Sequence, residues 1–122
     1  MPTSSSALET RCIAMEGLPK EALSQVASYF QALSEPTRLT LLNLLRGGER
    51  SVGELAELLG ASIPNTSKHL KQLAQAGLVH RRPEGTTVFY AIADPSVFDL
   101  CDVVCGGLER AAHAEVKLLR RR

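Results

Sequence analysis

From Leu18 onward, apolar residues recur at every third or fourth position. Leu23, Val26, Phe30 and Leu33 form the first such series, and Pro19 suits an opening turn. A helix is therefore predicted over 18–33. Ser34-Glu35-Pro36 ends it, because a residue before proline is pushed out of the α region. A second helix is predicted from Pro36 to Leu45, with Leu39, Leu42 and Leu45 apolar and Gly47-Gly48 as its stop. Ser51 reads as an N-cap with Glu54 three residues on, the pattern of a capping box, ahead of a helix from Val52 to Leu59 that Gly60 closes. Ser62 is a second N-cap candidate, followed by a helix from Ile63 to Ala76 with Pro64 in its first turn and Gly77 behind it. Helix, short glycine-containing turn, helix is the sequence form of a helix-turn-helix. Beyond Gly77 the pattern turns β-prone: 78–82 and 86–92 flank Pro83-Glu84-Gly85 as a hairpin. Asp94-Pro95 opens a last helix from Ser96 to about Arg120. Gly106-Gly107 in its middle costs about 1 kcal/mol per glycine relative to alanine, so a kink or a close helix contact is expected there.

This order of elements predicts a mainly α fold with a small β-hairpin, a winged helix-turn-helix. Residues 1–17 form an N-terminal extension and 18–122 the folded domain. The length of 122 residues suits one domain, and 44% hydrophobic with 22% charged residues excludes wholesale disorder. No apolar run reaches the roughly 18 residues that cross a bilayer, and the N-terminus lacks the basic flank and apolar core of a secretory signal. A soluble cytoplasmic protein with no membrane partner is the expectation. Aromatic residues are only 4% and tryptophan is absent, which argues against stacking surfaces for single-stranded nucleic acid.

The net charge of +1 conceals an uneven distribution. Between Ser62 and Tyr90, Lys68, Lys71, Arg81 and Arg82 face a single carboxylate, Glu84, whereas 49–61 carries Glu49, Glu54 and Glu57 against Arg50. Positive charge thus falls on the second helix of the pair and on the hairpin, the two elements that would meet phosphate. Leu70, Leu73 and Ala74 turn one face of that helix inward. Ser62, Asn65, Ser67, Lys68, His69 and Lys71 gather toward its N-terminal half, where a recognition helix reaches base edges. Asparagine can pair adenine twice, serine can donate or accept, and lysine reaches guanine or phosphate; Arg81 and Arg82 suit phosphate or the minor groove. For His69 a packed or capping role is an equal alternative to base contact.

Leu33-Ser34-Glu35-Pro36-Thr37-Arg38-Leu39, Glu54-Leu55-Ala56, Thr66-Ser67-Lys68-His69-Leu70-Lys71-Gln72-Leu73 and Ala76-Gly77-Leu78-Val79 together resemble the ArsR/SmtB family of bacterial metal- and stress-sensing repressors. The resemblance covers residues 22 to about 105. It implies a homodimer joined through its first and last helices, repression by binding an inverted repeat of double-stranded operator DNA, and an inducer held elsewhere on the dimer. It implies no tightly bound cofactor.

Family members place inducers at different sites. A cysteine pair on the helix before the recognition helix is absent here, because that segment reads Glu54-Leu55-Ala56-Glu57-Leu58. A zinc-type site on the last helices would draw on Asp99, Cys101, Asp102, His113 and Glu115, but the Cys101–His113 spacing is one residue too long and cysteine stands where histidine is expected. What remains is Cys101 and Cys105, with Cys12 in the extension. Positions i and i+4 place Cβ atoms about 5–6 Å apart, wider than a disulfide wants, whereas an atom bridging two thiolates fits. Soft thiolates select thiophilic ions. As(III) or Sb(III), which takes three sulfurs, is favoured as inducer, with Cys12 of either subunit as the third ligand. A thiol-based redox or persulfide sensor on the same scaffold is the alternative. Equally, Phe98, Cys101, Cys105, Leu108 and Ala112 follow a three-four spacing that reads as a packing seam. An enzyme with a cysteine nucleophile has no support beyond the presence of Cys and His.

Overall fold

The computed structural model describes the backbone of residues 15–120 and the side chains of 15–115. After a 3₁₀ turn at Met15–Gly17 come α1 (Lys20–Ala32), α2 (Pro36–Leu45), β1 (Arg50–Ser51), α3 (Val52–Leu59), α4 (Ile63–Gln75), β2 (Val79–Glu84), β3 (Thr87–Ile92) and α5 (Ser96–Arg120). The starts of α2, α3 and α4 are locally encoded. The Glu35 carboxylate accepts the Arg38 amide at 3.1 Å, with Pro36 in the first turn of α2. Ser51 and Glu54 close a reciprocal capping box at 3.1 Å in each direction. Ser62 Oγ accepts the Asn65 amide at 3.2 Å. Gly60 ends α3 at φ +72°, a left-handed conformation that a Cβ would strain, and so sets the turn between α3 and α4.

The predicted hairpin is part of a three-stranded antiparallel sheet in the order β1-β3-β2. Two-residue β1 was not foreseen; it pairs Arg50 with Tyr90 and Ser51 with Phe89. The turn is also tighter than expected. Glu84 pairs with Thr87, which leaves Gly85-Thr86 as a two-residue loop with Gly85 at φ +62°, and Pro83 lies within β2 opposite Val88. β2 is an edge strand, where proline's missing N–H is tolerated.

The core gathers Leu41, Leu42 and Leu45 of α2, Val52 and Leu55 of α3, Leu70 and Leu73 of α4, Leu78, Val79, Tyr90 and Val97. Leu39, expected inside, is 39% exposed. Of α1 only Ala32 is buried, and its apolar stripe continues outward through Phe30, 49% exposed. α5 runs as one continuous helix through Gly106-Gly107. Val104 and Leu108 on α5 are 54% and 67% exposed. An apolar groove of about 470 Å³ lies between α1, α2 and α5, lined by Phe30, Leu39, Phe98, Cys101, Cys105 and Leu108 among others. A contiguous apolar face of this kind marks an interaction surface. No helix among the described residues is long and apolar enough to cross a membrane.

Candidate nucleic-acid interface and thiol pair

α4 is fastened to the core by Thr66, Leu70 and Leu73, all fully buried. Thr66 pays for its burial by donating its hydroxyl to the Ser62 carbonyl at 2.8 Å. These three residues sit at spacings of four and three, so the opposite side of the helix faces solvent. Asn65, Lys68 and Lys71 are exposed on it, and Ser67 is half-buried at its margin. A cleft of about 440 Å³ separates the N-terminal half of α4 from the hairpin. Ser67, Lys71 and Arg81 line it together with Ile63, Thr86 and Thr87. Two cations and a hydroxyl thus converge on one concave surface, the donor set that a phosphate requires.

The two arginines expected to act alike are placed on opposite faces. Successive residues of a strand point to opposite faces of a sheet. Arg81, paired with buried Tyr90, faces the cleft. Arg82 lies on the other face over the Phe89 ring, 4.7 Å from its centroid, and its guanidinium is bound by Glu49 at 2.8 and 2.9 Å and by Glu84 at 3.2 Å. The hydrogen bond from Arg82 holds the Glu49 carboxyl below its ordinary range.

His69 takes the packed role. Its ring is only 15% exposed, and Nδ1 lies 3.3 Å from the Arg38 guanidinium and 3.7 Å from the Glu35 carboxylate. Arginine can only donate, so Arg38 is the donor in its contact with the ring. The same Arg38 donates to the Ala32 and Gln31 carbonyls at 2.7 and 3.1 Å and to Gln72 Oε1 at 2.7 Å. It therefore ties the C-terminus of α1 to the recognition helix. Sequence reasoning noted Arg38 only as part of a family motif and missed its contacts with His69 and Gln72; no local signal links residues more than thirty positions apart.

Cys12 lies outside the described residues. Cys101 is half-buried against the core and Cys105 is exposed, both free thiols on the groove wall. Burial, then the neighbouring Cys105 and Asp102, push the Cys101 thiol up, while Arg46 pulls it down. Arg46 stacks over Phe98 at 4.1 Å on the same groove. Phe98 and Cys101 do pack against the core as the seam reading expected, but Cys105 and Leu108 continue it into solvent. Among the described residues no three His, Cys, Asp or Glu side chains of one chain converge as a metal site.

A family profile described as "Bacterial regulatory protein, arsR family" matches residues 35–81. The regulator KmtR of Mycobacterium tuberculosis is 38% identical over 97 residues, which cover 80% of this chain and 72% of KmtR. The chain belongs to the arsR family of bacterial regulatory proteins. Another relative, described as a probable mercury resistance operon repressor of Streptomyces lividans, is 43% identical over 74 residues; the match covers 61% of this chain and 59% of that protein. Among solved structures, Rv0081 of M. tuberculosis superposes with a TM-score of 0.69 at 33% identity, covering 80% of this chain and 99% of that one. A winged helix-turn-helix domain of Mycobacterium bovis, described as homodimeric and DNA-binding, gives 0.66 at 37% identity over 73% of this chain and 82% of that one. These arsR-family relatives are transcriptional regulators and not enzymes. The matched segment runs from the Glu35 cap to Arg81, and so spans α2, the helix-turn-helix and the start of the hairpin.

Proposed function

We propose that the chain is a homodimeric transcriptional repressor that grips an inverted repeat with α4 and the β2–β3 wing. It releases the operator when a thiophilic ion binds Cys101 and Cys105, with Cys12 as a third sulfur. The observation that carries the sensing half is the position of two free thiols one helical turn apart on the wall of an open apolar groove. A second copy covering the exposed faces of α1 and α5 would put those thiols at the subunit boundary. On the DNA side, Asn65 and Lys68 read base edges, Lys71, Ser67 and Arg81 take phosphate, and Ser62 presents the N-terminus of α4. His69 supports the helix from behind.

Two thiolates alone suit a soft ion such as mercury(II), the metal in the description of one relative; As(III) or Sb(III) calls on the third. Each thiol must lose its proton to ligate, so binding weakens as pH falls, and more so at Cys101, whose thiol is pushed up. An ion that draws the two α5 helices into a new arrangement shifts the recognition helices off the half-site separation of about 34–36 Å. Release then follows by linkage, provided the ion binds the DNA-free arrangement more tightly.

The test is a DNA-release titration with arsenite, antimonite, mercury(II), cadmium, zinc, peroxide and polysulfide, on the wild type and on each Cys→Ser variant. Cys105→Ser should bind DNA as the wild type does and ignore arsenite, and Cys12→Ser should lose the metalloid response while keeping that to mercury(II). Release retained in Cys105→Ser would make the pair packing, and release by peroxide or polysulfide without metal would assign the switch to oxidation.

A further inference from the structure

We infer that Arg82 is a positioning residue of the wing, a guanidinium strut laid across the sheet to Glu49 that fixes the angle at which Arg81 meets DNA. The inference rests on the DNA-binding reading and assigns Arg82 a role other than direct phosphate contact. Three observations converge on it. Arg82 stands on β2 opposite Phe89 of β3, and Phe89 pairs on its other side with Ser51 of β1, two residues beyond Glu49. The side chain crosses β3 over the Phe89 ring and meets Glu49 through two nitrogens at 2.8 and 2.9 Å, so one bridge spans the full width of the sheet. A two-point bond between planar groups fixes orientation as well as distance. Finally, the Arg82 charge is already matched by two carboxylates, Glu49 and Glu84, whereas Arg81 on the opposite face lines the cleft with Lys71 and Ser67.

Outward of the β1 pairing the hairpin is held only by itself, so its angle depends on whatever braces its base. β1 leads directly into α3, and the strut therefore references the wing to the helix-turn-helix. An exposed pair adds little to global stability, because both groups are well solvated in either state. Its removal should appear in DNA binding, where a loosened wing has to be ordered again, and not in the unfolding midpoint.

The test measures the dissociation constant and its salt dependence on a duplex that the wild type selects from a randomised pool. Glu49→Gln and Arg82→Gln should each weaken binding roughly fivefold to tenfold, the cost of re-ordering about one residue of backbone. The double variant should be no worse than either single. Arg82→Lys should fail like Arg82→Gln, because an ammonium cannot reproduce the two-point bond. Salt slopes should match the wild type throughout, while Arg81→Gln flattens the slope by about 1.8, one phosphate per protomer. The inference is overturned if Glu49→Gln tightens binding, if Arg82→Lys behaves as wild type while Arg82→Gln flattens the slope, or if neither partner matters. A wild type that selects no duplex would instead remove the DNA-binding reading, and an Arg81→Gln slope equal to that of the wild type would remove Arg81 from the phosphate contacts and leave the strut nothing to position.

Discussion

Replacing Arg38 by methionine keeps the length of the side chain and deletes every donor of one guanidinium. That group bonds the Ala32 and Gln31 carbonyls at the end of α1 and the Gln72 and His69 side chains on α4. The two shortest bonds, to Ala32 O and Gln72 Oε1 at 2.7 Å, contribute about 1 kcal/mol each net of what water would replace. A cation over the unsatisfied carbonyls of a helix C-terminus adds about 0.3–1 kcal/mol. The longer contacts, to the Gln31 carbonyl at 3.1 Å and to His69 Nδ1 at 3.3 Å, are credited with nothing. Arg38→Met should therefore lower unfolding free energy by about 2–3 kcal/mol per protomer. With a urea m-value of about 2 kcal/mol/M, this is a midpoint shift of roughly 1 M, read by circular dichroism at one fixed protein concentration because dimerisation also stabilises. Arg38→Lys should recover less than half of it, since one ammonium cannot serve acceptors on two helices at once. A midpoint within about 0.2 M of wild type for Arg38→Met, or full recovery by lysine, would refute the view that this guanidinium locks the recognition helix to α1.

Lys71→Ala should weaken operator binding and flatten the salt slope by about 1.8 in a dimer, because exposed Lys71 has no carboxylate partner among the described residues; an unchanged slope would remove it from the phosphate contacts. Iodoacetamide should modify exposed Cys105 faster than half-buried Cys101, as followed by peptide mass spectrometry, and the Cys101 rate should keep rising at alkaline pH after an ordinary thiol has levelled off. The sign follows from burial, which favours the neutral thiol. The folded chain holds that proton to higher pH than the unfolded one, so the contribution of Cys101 to stability is intact below the unfolded value and is lost as pH rises through the folded one.

What could be read from the sequence was whatever is encoded within one turn of chain. Ser51 with Glu54, Ser62 and the glycines at 60 and 77 carry their own geometry, and the helix-turn-helix emerged almost residue for residue. Misreadings arose where the cause lies far along the chain. β1 is two residues long and exists because β3 offers it an edge, so no periodicity announces it. Pro83 looks like a turn residue until β2 is known to be the outer strand. In α2 three leucines at 39, 42 and 45 fit a helical face as well as 41, 42 and 45 do; only packing against α3 and α4 selects the second set. Adjacent Arg81 and Arg82 are indistinguishable as charges, and the pleat of β2 gives them different neighbours. At the thiol site the pair on α5 was legible from its spacing, while the opposing effects of burial and Arg46 on Cys101 needed the groove itself.

The hairpin is anchored at one end and free at the other. β1 pairs with Phe89 and Tyr90 alone, so the stretch from Pro83 to Val88 projects as a two-stranded cantilever beyond the third strand. Its core-facing anchor, Tyr90, stays in place whatever happens at the tip. Adding two residues to each arm at Gly85-Thr86 would lengthen its reach by about 7 Å without touching a buried side chain. Operator footprint could therefore be retuned in this scaffold by insertion at a single loop, independently of the helix that reads sequence.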